Sequence, residues 1–340
     1  TQVRGLTNTQ IAALDATAIS GIDATRFGSF TATQVRALTT TQIGAMEGSD
    51  VAKLGTAQIA ALSTAQVGAL SSTGISDLAA TQIAAFTTGQ VQSISTTNLN
   101  AFNETQLSAL TTTQVLRLST AQVASLTETN IAAMATTQAA ALATTQLSQL
   151  TSDALRAFSS TQFAALSATQ VRSLTSTQIE DLEAADIAEF TTTQIAGLAT
   201  TQVRDLNETA IGALDSTQLA ALTTTQIKSL TTTNLVALAD TQIAALTTTQ
   251  ISNLATTQVA ALETSNVAAL TSTQIGALTP ALLTSLTSTN FAQFDETQIG
   301  GITTTQMRAL STTQIANIDA DQVAAFSTTQ LTQLSATQIR

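Results

Sequence analysis

The chain has 340 residues and a formal net charge of −11, with no His, Cys, Trp or Tyr and only one proline. The negative charge argues against nucleic acid as a partner, because phosphates are bound by clustered Lys and Arg. Without Cys there is neither a disulfide framework nor a thiolate metal site. No apolar run approaches the roughly 20 residues of a membrane span, so we expect no membrane insertion.

So few residue types indicate a short unit copied many times. The unit is eight residues long, and its first full copy is residues 7–14, whose places we name a to h. All 43 e places, from Val3 to Ile339, and all 42 h places, from Leu6 to Leu334, are apolar, with no insertion between them. We therefore expect one continuous octapeptide-repeat solenoid over residues 1–340, as a segment of a longer array.

The pattern within one octad predicts a short helix. Apolar residues three apart and then five apart form one helical face followed by a break, whereas a half-buried strand needs strict alternation. The Thr-x-x-Gln run at a to d matches a capping box, and the apolar h and e places flank it as a hydrophobic staple does. Gln stands at 30 of the 43 d places. Each octad is therefore predicted to form a capped helix of about one and a half turns.

Two further patterns agree with this prediction. The only proline, Pro280, falls at place b, the first helical position, where its missing N–H is tolerated. Of the 22 acidic residues 17 lie at places a to d, and ten of the 11 basic residues lie at f or g, as a helix dipole favours. The alternative is a β-solenoid, since Thr, Ile and Val favour strands.

One octad cannot fold alone. Burying its e and h side chains stabilises it by about 3–6 kcal/mol, while ordering eight backbone units costs roughly 8–16 kcal/mol. Neighbouring octads must supply the difference by stacking, which is the arrangement of a solenoid. The sequence therefore predicts an all-α solenoid of capped helices, one per octapeptide.

A longer period is visible where d is not Gln. From Arg26 to Asn290 these octads follow one another in steps of three or four octads, on average 3.3. Two further non-Gln places, Ala18 and Leu282, lie one octad from a member of this series. We expect about 3.3 octads per superhelical turn, with the series marking one seam: Arg26, Asp50, Gly74, Asn98, Asn130, Ala154, Asp186, Ala210, Asn234, Asn266 and Asn290.

The sequence offers no catalytic, cofactor-binding or metal-binding residue. Without His or Cys the usual acid–base and nucleophile arrangements are missing, so we do not expect an enzyme. Asp295-Glu296, Asn103-Glu104 and the acidic residues of 180–189 suggest loose Ca²⁺ binding, but no EF-hand spacing is present and capping explains them better. The Thr runs 111–113 and 247–249 suggest a hydroxyl array for ice or glycans, although cap positions explain them too.

The phrase Leu-Thr-Thr-Thr-Gln-Ile, as in residues 222–227, resembles the low-complexity octapeptide stretches of very large bacterial secreted surface proteins of the adhesin type. The resemblance covers the whole chain. It implies an extracellular or cell-surface spacer or fibre, and it carries no functional residue over to this chain.

Three functions remain open from the sequence. The first is a structural rod, fibre or cell-surface spacer that associates end to end or laterally with itself or with flanking repeats. The second is a scaffold that presents its outer Thr/Gln surface, or its f places, to a protein or glycan partner. The third is an ice-binding or surface-binding Thr array.

Overall fold

In the computed structural model, residues 3–339 are described. They contain one 3₁₀ turn, Val3–Gly5, followed by 42 short α-helices, and no strand occurs among them. The predicted all-α repeat fold is therefore confirmed, and the β-solenoid alternative is wrong. Each helix has four to six residues, in agreement with about one and a half turns per octad.

By its contacts the chain divides into two compact units that meet in sequence at Leu174 and Thr175. The prediction of a single continuous solenoid remains a prediction. The first unit contains α1 (Asn8–Ala12), α2 (Ala16–Ser20), α3 (Ala24–Phe27), α4 (Ala32–Ala37), α5 (Thr40–Ala45), α6 (Gly48–Val51), α7 (Thr56–Ala61), α8 (Thr64–Gly68), α9 (Ser72–Ser76), α10 (Ala80–Ala84), α11 (Thr88–Ser93), α12 (Thr96–Asn100), α13 (Glu104–Ser108), α14 (Thr112–Leu116), α15 (Thr120–Ala124), α16 (Glu128–Ala132), α17 (Thr136–Ala141), α18 (Thr144–Leu147), α19 (Ser152–Arg156), α20 (Ser160–Ala165) and α21 (Ala168–Arg172).

The second unit is built in the same way. Its helices are α22 (Ser176–Glu180), α23 (Ala184–Ala188), α24 (Thr192–Gly197), α25 (Thr200–Asp205), α26 (Glu208–Gly212), α27 (Ser216–Ala221), α28 (Thr224–Ser229), α29 (Thr232–Val236), α30 (Asp240–Ala245), α31 (Thr248–Ser252), α32 (Thr256–Ala260), α33 (Thr264–Ala268), α34 (Ser272–Ala277), α35 (Pro280–Ser285), α36 (Ser288–Phe291), α37 (Glu296–Gly300), α38 (Thr304–Ala309), α39 (Thr312–Ala316), α40 (Ala320–Ala325), α41 (Thr328–Leu331) and α42 (Ala336–Ile339).

The capping box predicted for places a to d is present in most octads. In α28 the Thr223 hydroxyl accepts the Gln226 N–H at 3.3 Å, and the Gln226 Oε1 accepts the Thr223 N–H at 2.7 Å. Where Ala stands at place a, as at Ala79, the glutamine half of the box remains. Helix α35 begins at Pro280, as predicted. The residues at a have extended backbone, so the chain turns between helices without any positive φ in residues 3–339.

Burial follows the octad. Away from the two ends of the array, the d, e and h side chains are buried, whereas a, c and f are mostly exposed and g is half-buried. The buried e and h residues form the core of each unit, as their apolar character predicts. The burial of d was not predicted, because d is a polar place.

Helices three octads apart pack against each other throughout both units, for example α4 on α7, α17 on α20 and α25 on α28. Contacts between stacked octads join residues 25 to 31 positions apart, as in the bond from Arg4 Nε to the Ser29 carbonyl and that from Gln42 Nε2 to the Ile11 carbonyl. One turn therefore holds more than three and fewer than four octads, a range that includes the predicted 3.3.

The octads without Gln at d stack on one another within each unit. In the first unit α3, α6, α9 and α12 form one stack. In the second unit α23, α26 and α29 form another. The four-octad step from α29 to α33 is bridged by a hydrogen bond from Asn266 Nδ2 to the Leu238 carbonyl at 3.3 Å. These contacts are those expected of a seam.

Candidate functional site

The d glutamines are the most repeated polar feature of the structure, and they join one turn to the next. Gln250 Nε2 donates to the Leu219 carbonyl at 2.7 Å and to the Leu222 carbonyl at 2.8 Å. Its Oε1 accepts the Thr247 N–H of its own helix at 2.8 Å. The two carbonyls belong to the e and h residues of the octad that lies four octads earlier in sequence. They stand at the end of its helix, where backbone carbonyls need hydrogen-bond partners. One side chain thus caps the start of its own helix and the end of another.

The same arrangement recurs along both units, and we call it the glutamine ladder. Its buried members are 8% exposed or less. The Nε2 atom donates to the h carbonyl four octads earlier in Gln42, Gln66, Gln90 and Gln114 of the first unit and in Gln218, Gln226, Gln274 and Gln306 of the second. All eight also donate to the e carbonyl of that same octad.

A capping box needs only an acceptor at d, and Glu serves there as well as Gln. No d place in this chain is Glu. The ladder explains this, because a carboxylate offers no N–H to the two carbonyls. This exclusion of Glu was the sequence signal that could have revealed the ladder. Burial of the d glutamines also corrects one detail of the scaffold prediction, because these side chains are not part of an outer Thr/Gln surface.

Asparagine at d makes a shorter version of the same link. Asn98, Asn234 and Asn290 each donate from Nδ2 to the h carbonyl of the octad that lies four octads earlier, at 2.9, 2.8 and 2.6 Å. Where Ala210 stands at d, the neighbouring Asn207 at place a donates to the Leu182 carbonyl at 3.2 Å. Asn98, Asn234 and Asn290 therefore each make one such bond where the ladder glutamines named above make two.

Asp50 is the one seam residue of the first unit that carries a charge at a buried d place. It is 4% exposed, and its carboxylate accepts the Glu47 N–H at 3.1 Å. Burial, and then the nearby carboxylates of Glu47 and Asp23, raise the pKa of Asp50 above its ordinary value, although the Glu47 N–H acts in the opposite direction. Deprotonated Asp50 lacks the N–H that Asn or Gln donates from this place.

Two of the residues considered for Ca²⁺, Asp295 and Asn103, cap helices. Asp295 accepts the Gln298 N–H at 2.7 Å, and Asn103 accepts the Gln106 N–H at 3.0 Å. Burial raises the pKa of Glu189, and the Asp186 carboxylate adds to the rise. Hydrogen bonds from the Thr217 hydroxyl and the Gln218 N–H lower the pKa of Asp215. Within residues 3–339 no three acidic side chains lie together as metal ligands would.

The threonine runs divide by place. Thr111 and Thr247, at place a, use their hydroxyls to cap Gln114 and Gln250. Thr113 and Thr249, at place c, are exposed. Thr112 and Thr248, at place b, are exposed as well, so the b and c places are the part of each run that could face a surface or a glycan. In the part of the chain that the structure describes, no helix is long and apolar enough to cross a membrane.

Comparison with known families adds one finding. A sequence model of the ALTTAQ repeat matches residues 43–80, 83–120 and 299–336. These matches indicate a repeat region. All three stretches contain the helices and ladder described above, in both units. A search of curated proteins finds no match to this chain.

Proposed function

We propose that the chain is a structural element, an extracellular or cell-surface spacer or fibre segment, rather than an enzyme. The observation that carries the proposal is how the repeat uses its constant residues. The e and h places, apolar in every copy, and the d place, Gln in 30 of its 43 copies, are buried and are used to stack one turn on the next. The a, b, c and f places, including the Thr found at 33 of the 43 c places, are left for the outer surface. The negative charge suits an exposed, self-repelling surface.

A spacer should lengthen in proportion to its octads. We expect in-frame duplication of octads within residues 191–254 to increase the maximum dimension by the same increment per octad, at constant cross-section, in small-angle X-ray scattering. A maximum dimension that stays constant as octads are added would contradict a spacer role. For the location, antibodies against the array should label intact cells of the producing organism; labelling that requires permeabilised cells would contradict an extracellular role.

The proposal includes association with flanking repeats or a second copy. In the last octads of the described chain the e side chains are exposed, by 44% at Val323, 37% at Leu331 and 68% at Ile339, whereas inner e residues such as Ile275 are fully buried. Apolar surface of this kind favours stacking of another turn.

Sedimentation velocity tests this part. We expect the 340-residue chain to associate as its concentration rises, and the exchange of Val323 and Leu331 for Lys to weaken association. The matched control is Leu116→Lys, because Leu116 is also exposed, by 49%, but lies at an f place away from the last octads. A chain that stays monomeric at every concentration, or a control that weakens association equally, would contradict end-to-end stacking.

A further inference from the structure

A cavity of about 280 Å³ opens on the first unit between α13 and α16. This volume is near the small end of the range for ligand pockets, about 300–1,000 Å³. Its apolar walls come from Leu107, Ala132 and Ala133, and its polar groups come from residues at places a to d. The rest of the lining is Phe102, Asn103, Glu104, Thr129 and Asn130.

The cavity lies where one link of the seam is missing. Asn130 is 3% exposed, and its Oδ1 accepts the Thr127 N–H at 3.0 Å and the Thr127 hydroxyl at 2.9 Å. The expected acceptor for its Nδ2 is the Phe102 carbonyl, which is as far from Asn130 in sequence as Leu70 is from Asn98. Within residues 3–339 neither that amide nitrogen nor that carbonyl has a hydrogen-bond partner. A donor on a buried side chain and a backbone acceptor are thus both without a protein partner at the wall of one open cavity, where a ligand can reach them.

The second unit contains the matching groove with the link made. Residues Leu206, Asn207, Glu208, Thr233 and Asn234 occupy the places of Phe102, Asn103, Glu104, Thr129 and Asn130. There the Nδ2 of Asn234 donates directly to the Leu206 carbonyl at 2.8 Å. Asn266 makes the same bond to Leu238. The unsatisfied pair at Asn130 is therefore particular to the first unit and does not follow from Asn at d.

The groups around the cavity define the ligand chemistry. The Asn130 and Asn103 amides donate, the Phe102 carbonyl and the Glu104 carboxylate accept, and the Thr129 hydroxyl does both. The carboxylate repels anions, and the amide donors disfavour a cation. A molecule with several hydroxyl groups can donate to the carboxylate and carbonyl while accepting from the amides, with its C–H face against the apolar walls.

We propose that this cavity binds one ring of a neutral, hydroxyl-rich sugar, with one hydroxyl bridging Asn130 Nδ2 and the Phe102 carbonyl. This site lies outside the spacer role and does not depend on it. It gives the first unit a glycan contact that the second unit, with its closed Asn234–Leu206 link, lacks.

Glucose, galactose, mannose and N-acetylglucosamine are suitable probes, tested by saturation-transfer NMR and calorimetry. We expect saturable binding of at least one sugar, with a Kd on the order of 1 mM. Asn130→Ala should weaken it about tenfold, through loss of one buried hydrogen bond. Glu104→Gln should weaken it as well. The matched controls Asn234→Ala and Glu208→Gln should leave it unchanged.

The alanine variants are suitable because Ala already stands at d at 154 and 210, and circular dichroism checks that their helices persist. The proposal is overturned if no sugar of the panel binds saturably, or if binding survives Asn130→Ala. It is also overturned if methylammonium or acetate binds more tightly than every sugar. A crystal structure grown with the sugar that shows only water between Asn130 and Phe102 would overturn it too.

Discussion

At the scale of single residues, the amide of the d glutamine is the group on which the stacking depends. It is buried, and a buried amide is tolerated only when its donors and acceptor are all used. Here Oε1 meets the N–H at the start of its own helix and Nε2 meets two carbonyls at the end of another. The link is specific because it needs both a donor and an acceptor on one side chain.

Gln250→Glu should therefore be strongly destabilising. The carboxylate keeps the Thr247 N–H, but its second oxygen replaces an N–H donor whose nitrogen lies 2.7 and 2.8 Å from two carbonyl oxygens, so a buried negative charge faces two acceptors. We expect a loss of about 3–5 kcal/mol in the free energy of unfolding, measured by urea denaturation. Gln10→Glu is the matched control, since Gln10 holds the same place but is exposed. Equal stability of the two variants would show that the ladder contributes nothing.

Asp50→Asn should stabilise the chain, because Asn at d can donate to the h carbonyl of the octad that lies four octads earlier, as Asn98 does. For position 50 that acceptor is the Ile22 carbonyl. We expect a gain of about 1 kcal/mol at neutral pH. Since burial raises the pKa of Asp50, the folded chain binds its proton more tightly than the unfolded chain. The contribution of Asp50 to stability is thus greatest below the pKa of the unfolded chain and is lost as pH rises through the folded-state pKa.

The gain in the free energy of unfolding from Asp50→Asn should accordingly shrink as pH falls from the folded-state pKa of Asp50 to its unfolded-state pKa. Thermal melts of both proteins between neutral and acidic pH measure it. Asp15→Asn serves as control, because Asp15 caps its helix from an exposed place. A difference between wild type and Asp50→Asn that grows toward acidic pH would contradict this account of Asp50.

At the scale of elements, helices of four to six residues are too short to be stable alone in water. Their stability comes from the capping box at one end and from the neighbour three octads away. The sequence predicted the helix type, the caps, the first position of α35 at Pro280 and the buried e and h faces, because all of these depend on local spacing. It did not predict that the d side chains are buried, because their burial depends on which helix of the adjacent turn packs against them.

Deletion of one octad tests the equivalence of these elements. Removing residues 111–118 brings the next octad into the same position, so every helix still finds a neighbour three octads away. We expect the free energy of unfolding to change by about 1 kcal/mol or less, so Tm should shift by at most about 2–4 °C. Removing residues 111–115 leaves a three-residue remnant that cannot form a helix. Its Tm and ellipticity should fall clearly, and equal damage from both deletions would refute the octad as the folding unit.

At the scale of the whole molecule, both compact units repeat one stacking rule. Each octad packs on the octad that lies three octads away in sequence, and its d side chain bonds to carbonyls of the octad that lies four octads earlier. The seam series, with its steps of three and four octads, predicted a turn of this size from the sequence alone. The cavity at Asn130 could not be predicted, because the same Asn closes its link at Asn234 and Asn266. Small differences in how two turns approach decide whether such a bond forms.

The most direct test of the stacking rule uses the lack of cysteine in the chain. A β-carbon at Gly89 would lie 3.6 Å from the Thr64 Cγ2, across one turn between α11 and α8. In the double variant Thr64→Cys with Gly89→Cys, we expect an intramolecular disulfide under mild oxidation, detected by mass and by mobility on non-reducing gels. The control pairs Thr64→Cys with Thr81→Cys, which lies two octads along instead of three, and it should stay reduced. A disulfide in the control but not in the first pair would contradict the central claim that turns of three to four octads stack through this contact.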